Sequence, residues 1–191
     1  DEELAQKYAS QGHNGETTVF IGDSFFDERY FFTNFSALLA GEDALCMGIS
    51  STTTFDWEQY ILAENTILSA SMQPKALVVN LGTNNFYDDK RSTADTASDL
   101  QRLFTLMHDR MPDTHIYYFS IAQRLDTAFA GNVSAVNDRM EEWCRYKDWI
   151  TFLDVEEQVT TDKLRDDHVH PLPETYRDIY LPALRAAGWE G

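Results

Sequence analysis

Five short apolar runs, Thr18 to Ile21, Ala44 to Met47, Ala76 to Leu81, His115 to Ser120 and Trp149 to Leu153, alternate along the chain with longer segments of helical spacing. That alternation predicts an α/β fold with a parallel sheet. Between the runs, Tyr30, Phe31, Phe35, Leu38 and Leu39 recur at helical spacing, as do Leu100, Leu103, Phe104, Met107 and Met111. Val133, Val136, Met140, Trp143 and Cys144 mark a further helix, and Tyr176, Ile179, Tyr180 and Leu184 the last one. Each stripe is expected to face the sheet. A chain of 191 residues can bury a substantial core, and no Pro/Gly/Ser-rich stretch interrupts it, so residues 1–191 read as one domain with its core at 18–187.

Two motifs at opposite ends of the chain carry chemistry. Val19-Phe-Ile-Gly-Asp-Ser24 runs the first apolar stretch into a turn, and Asp167-His-Val-His170-Pro171 places an acid three residues before a histidine. A serine hydroxyl is a weak nucleophile at neutral pH. It needs an imidazole within hydrogen-bond reach, and the imidazole needs a carboxylate to fix its tautomer and stabilise its cation. Ser24, His170 and Asp167 have those roles available. Ser24, Gly48 and Asn84 also lie just after the first, second and third predicted strands. In a wound parallel sheet all three fall on the edge where ligands bind.

In these four blocks, Gly-Asp-Ser24, Cys46-Met-Gly48-Ile, Leu81-Gly-Thr-Asn84-Asn85 and Asp167-His-Val-His170, the chain resembles the SGNH subgroup of the GDSL esterases and lipases. The resemblance covers Val19 to Tyr180. It implies a three-layer α/β/α, flavodoxin-like five-stranded sheet of order 2-1-3-4-5, the SGNH hydrolase fold. It also implies a catalytic triad of Ser24, His170 and Asp167. The oxyanion hole would come from the backbone amides of Ser24 and Gly48 and the side-chain amide of Asn84. Such donors suit ester chemistry, because attack on a carbonyl puts negative charge on its oxygen. Asp166 is an alternative orienting acid; the resemblance favours Asp167.

The chain departs from the family pattern in several places. Phe25-Phe26-Asp27-Glu28 follows the serine where a small hydroxylic residue and then a glycine are usual, and Asn85 stands where aspartate is common. His168 replaces a glycine, and Leu172 follows Pro171 where asparagine is frequent. These changes bear on substrate shape more than on the triad. Phe25 and Phe26 sit in the nucleophile turn and, with Trp57 and Tyr87, are candidates for a substrate-binding wall that takes an acyl group or stacks on a sugar ring. Most of the remaining aromatics after Ser24 are expected in the core.

Fifteen basic against thirty-two acidic residues give a net charge of −17, which opposes nucleic acid and anionic membrane surfaces and favours neutral substrates. No run approaches the length needed to span a bilayer. The chain begins at Asp1 rather than methionine, which fits a processed N-terminus and is compatible with secretion after removal of a signal peptide. His168 and His170 form a His-x-His pair, but no third or fourth ligand stands nearby, so no metal is expected. The expected function is a cofactor-free serine esterase acting on short-chain acyl or O-acetyl groups, with carbohydrate esters as candidate substrates. The alternatives are an acyltransferase that passes the group to a sugar hydroxyl, and a catalytically silent binding module.

Overall fold

The computed structural model describes residues 3, 10, 11, 15–63, 73–125 and 129–191. Five strands, β1 (Thr18–Gly22), β2 (Ala44–Cys46), β3 (Ala76–Asn80), β4 (His115–Phe119) and β5 (Ile150–Leu153), form one sheet. All pairings are parallel and the order is β2-β1-β3-β4-β5, as the family resemblance implies. Alternate residues of each strand feed different layers. Val19, Ile21, Leu77, Val79, Ile116 and Tyr118 pack with Trp57, Leu100, Leu103, Phe104, Val136 and Met140 on one face. Phe20, Val78 and Phe119 pack on the other with Phe26, Phe32, Tyr176, Tyr180 and Leu184. A sheet covered on both faces needs apolar residues at successive positions, which is why its strands read as unbroken runs.

The helices follow local signals. Thr93–Arg110 starts where the Ser92 hydroxyl accepts from the Asp95 amide (3.1 Å) and ends just before Pro112, with Leu100, Leu103, Phe104 and Met107 buried along one stripe. Thr54–Leu62 opens on a capping box between Thr53 and Asp56. Ala130–Cys144 buries Val133, Val136, Met140 and Cys144. The C-terminal helical run Pro173–Thr175, Tyr176–Tyr180 and Leu181–Ala186 contains one π-helical segment, Tyr176–Tyr180, whose two tyrosines point into the core.

One expected helix is largely absent. The Tyr30-to-Leu39 stripe contains only the four-residue helix Phe35–Leu38, and residues 28–34 form turns. Tyr30 is 55% exposed, whereas Phe32, outside the expected stripe, is buried. The physical reason is Asp27: its carbonyl accepts from the amides of Tyr30, Phe31 and Phe32 together, closing a compact turn instead of propagating a helix. Cys46 and Cys144 are buried free thiols. Among the described residues no helix is long and apolar enough to cross a membrane.

Candidate active site

β1 ends in Gly22, whose φ of 130° and approach to the Asn80 carbonyl leave no room for a Cβ. The chain then turns sharply into Ser24–Phe26. Asp23 caps this turn, its Oδ1 accepting from the Phe25 amide at 3.1 Å. The loop is fixed from several sides. The Phe25 carbonyl accepts from the Tyr176 hydroxyl and the Phe26 carbonyl from Cys46 Sγ (2.8 Å). Asp27, fully buried, takes three bonds from Arg29 and two from Ser50. Burial alone would raise its carboxyl, but Arg29 and Ser50 outweigh that and hold it below the ordinary range.

Asp27 thereby clamps the Ser24 loop to the loop after β2. A Cβ at Gly48 would lie 2.1 Å from the Phe26 carbonyl oxygen, so only glycine permits this contact between the two loops. The same loop reaches the end of β3 through Asn84, whose Nδ2 donates to the Thr52 carbonyl at 2.9 Å. An amide NH2 has two hydrogens, so this bond fixes the group while leaving one donor for a ligand. Asn85 is buried and grips Thr54 with both side-chain atoms (3.3 and 2.8 Å), joining two helix starts.

Across the same edge, the loop after β5 brings the second motif to Ser24. Ser24 Oγ donates to His170 Nε2 at 2.7 Å, and His170 Nδ1 donates to Asp167 Oδ2 at 2.7 Å, the tautomer being assigned from these partners. Asp167 Oδ1 also accepts from the amides of Val169 and His170, both at 2.9 Å. Burial acts to raise the Asp167 carboxyl; those amides and the imidazole outweigh it and keep it low. His170 is pushed below the ordinary histidine value by burial, with Asp167 opposing and the Arg124 and Arg165 charges adding to the depression. His168 holds a φ of 60°, the left-handed conformation that explains why a glycine is usual there.

Residues that the sequence alone did not single out complete the surroundings. Phe31 stacks face to face on His170, with ring centroids 3.4 Å apart and planes 2° from parallel. Arg165 spans this region, donating to the carbonyls of Pro171 and Phe31 (both 3.1 Å) while its own amide donates to the His170 carbonyl (2.7 Å). Helical spacing marks Phe31 only as a sheet-facing residue; its place over the imidazole follows from the compact turn around Asp27.

The candidate substrate wall divides. Phe25 and Phe26 are each only 1% exposed: Phe26 packs edge-on against Phe20 and Phe119, and Phe25 lies beside His170 (5.5 Å between centroids). Trp57 is fully buried, its Nε1 donating to Thr52 Oγ1 at 3.0 Å. These three are core, not wall: the narrow turn directs Phe25 and Phe26 under the sheet edge, and Trp57 lies on the inward stripe of the helix Thr54–Leu62, packed in the opposite layer. Tyr87 stays half-buried, with the Arg124 guanidinium over its ring at 3.7 Å and Phe129 edge-on at 4.9 Å. Among the described residues, no group of three or more His, Cys, Asp or Glu is placed to hold a metal ion.

The family model for GDSL-like lipases and acylhydrolases matches residues 20–177. No curated protein sequence matches the chain. Among solved structures, a GDSL-like lipase from Bacteroides thetaiotaomicron aligns at a TM-score of 0.77 and 16% identity, covering 97% of this chain and 95% of that one. A carbohydrate esterase family 3 protein from Talaromyces cellulolyticus aligns at 0.67 and 19% identity, covering 90% of this chain and 97% of that one. The C-terminal catalytic domain of Streptococcus pneumoniae peptidoglycan O-acetyltransferase A aligns at 0.63 and 19%, covering 91% and 95%.

Proposed function

The chain belongs to the GDSL-like lipase/acylhydrolase family, and from that premise we propose that it hydrolyses short-chain carboxylic esters, O-acetyl groups on carbohydrate among them, through an acyl-enzyme on Ser24. The observation that carries this reading is the unbroken chain of two 2.7 Å hydrogen bonds from Ser24 through His170 to Asp167. Ser24 Oγ attacks the ester carbonyl as its proton passes to His170 Nε2, and Asp167 holds the imidazole and stabilises its cation. The tetrahedral oxyanion is held by the Ser24 and Gly48 amides and the second hydrogen of the Asn84 amide, each such donor lowering the barrier by roughly 3 kcal/mol. His170 returns the proton to the leaving alcohol. It then deprotonates a water that attacks the acyl-serine, releasing the acid and restoring Ser24.

Short acyl groups are favoured because Phe25 and Phe26, the aromatic side chains next to Ser24 in the turn, are committed to the core instead of forming an acyl channel. Hydrolysis is favoured over transfer because His170 and Asp167 side chains, 14% and 39% exposed, stand within reach of bulk water. A panel of nitrophenyl esters and acetylated sugars, assayed with wild type and Ser24→Ala, tests the reading. The variant should lose at least ~10³-fold in kcat/KM; undiminished hydrolysis would remove Ser24 as nucleophile. Transfer outcompeting hydrolysis when acceptor sugars are added would replace the esterase with an acyltransferase. The base must be neutral, and its depressed pKa keeps it so to lower pH. The acid limb of kcat/KM should therefore have its midpoint below the ordinary histidine value of 6.5.

A further inference from the structure

Two arginines stand close enough to His170 to influence its charge, and their circumstances differ. Arg165 is used up by carbonyls of its own surroundings. Arg124 is not: among the described residues no carboxylate pairs with it and no acceptor takes its Nε, which is buried. Its guanidinium carbon lies over the ring of Tyr87, three residues after Asn84, at 3.7 Å from the centroid, and the next residue along, Leu125, donates its amide to the His168 carbonyl at 3.2 Å. Arg124 is thus pinned between the loop that carries the base and the helix that carries Asn84. Its charge also reaches Asp23, the residue before the nucleophile. A buried donor without an acceptor destabilises a fold.

We propose that Arg124, braced by Tyr87, is an anion subsite beside Ser24 that selects esters whose alcohol portion carries a carboxylate, such as O-acetylated hexuronic acids. The planar guanidinium matches a carboxylate in a bidentate fork, and stacking on an aromatic face fixes the plane of that fork in advance. One guanidinium balances one negative charge, which fits a carboxylate better than a dianionic phosphate. Long-range repulsion by the acidic surface opposes anions in general, so the subsite acts at contact distance, where a single paired charge outweighs a screened field.

The proposal rests on the esterase reading for its kinetic test and is independent of it for its binding test. The kinetic probes are the methyl glycosides of O-acetylated glucuronic acid and O-acetylated glucose, compared as a ratio of kcat/KM. Wild type should favour the glucuronoside at least tenfold. Arg124→Gln should collapse that ratio at least tenfold, and Arg124→Lys, which keeps the charge without the fork, should recover only part of it. The binding test uses Ser24→Ala and calorimetry with the unacetylated methyl glucuronoside and methyl glucoside. The glucuronoside should bind more tightly, and the difference should vanish when Arg124→Gln is added. Ester hydrolysis with equal ratios in wild type and Arg124→Gln overturns the subsite and leaves the esterase standing. Arg124-dependent binding without hydrolysis of any ester does the reverse. If Arg124→Gln fails to fold, Arg124→Lys decides: an unchanged ratio makes Arg124 a brace for Tyr87 and overturns the proposal.

Discussion

The two loops that meet at the site are built in opposite ways. The nucleophile loop, residues 23–27, belongs to the core: Asp23, Phe25, Phe26 and Asp27 are each at most 1% exposed, and its carbonyls and carboxylates bond to Tyr176, Cys46, Arg29 and Ser50. The base loop, residues 165–171, lies nearer the surface and is held by its own short-range bonds around Asp167 and Arg165, with Phe31 stacked on the imidazole. Ser24 is placed by the packing of the whole domain, whereas His170 is placed by a few residues next to it in sequence. Stability and activity should therefore respond separately to changes in the two loops.

The strongest way to break this contrast is to remove one side chain from each loop. His170→Ala should cost at least ~10³-fold in kcat/KM and move the melting temperature by only a few degrees. Phe26→Ala should destabilise by about 3–5 kcal/mol through the cavity it leaves among Phe20, Phe32 and Phe119. Denaturant unfolding and kinetics on both variants check the pair, and a large stability loss in His170→Ala would show that the base loop is core after all.

A smaller effect comes from Asp23. Burial drives its carboxyl from 3.8 up to about 7, despite the Phe25 amide and Arg124. The native state therefore binds this proton more tightly than the unfolded chain does, and stability falls as pH rises from 3.8 to about 7, by roughly 4 kcal/mol at most. Asp23→Asn should remove that fall. Unfolding curves at successive pH values for both proteins would show it, and parallel curves would mean that Asp23 ionises freely inside the loop. The smallest effect is expected at His168. Replacing it by glycine relieves the left-handed backbone at the cost of a more flexible unfolded chain, a net gain of about 0.5–1 kcal/mol with activity retained. A loss of stability would assign the imidazole a contact of its own.

Much of this was legible beforehand, for identifiable reasons. Strand positions could be read because a doubly covered sheet leaves uninterrupted apolar runs, and the Leu100-to-Met107 stripe because a long helix repeats its period several times. Ser24, Gly48, Asn84, Asp167 and His170 stood out because each sits at a strand end or in a short motif. The segment 27–34 was not legible: several aromatics at helical spacing cannot reveal that one carbonyl, that of Asp27, gathers three amides into a turn. The substrate wall failed for a related reason. Phe25 and Trp57 are close in sequence to site residues, yet the tight turn after β1 sends Phe25 inward and the helix Thr54–Leu62 buries Trp57 on the same stripe as Thr54 and Ile61.

The sequence by itself determined the layered α/β architecture and the residue types available for acyl chemistry, because both depend on local periodicity and on motifs a few residues long. Only the tertiary structure decided that Phe31 covers the imidazole, that Asp27 locks the nucleophile loop to Ser50, and that the Arg124 guanidinium lies over Tyr87 with no acceptor for its Nε among the described residues. Those relations join residues far apart along the chain or within irregular turns, where side-chain direction is fixed by packing and not by any repeat.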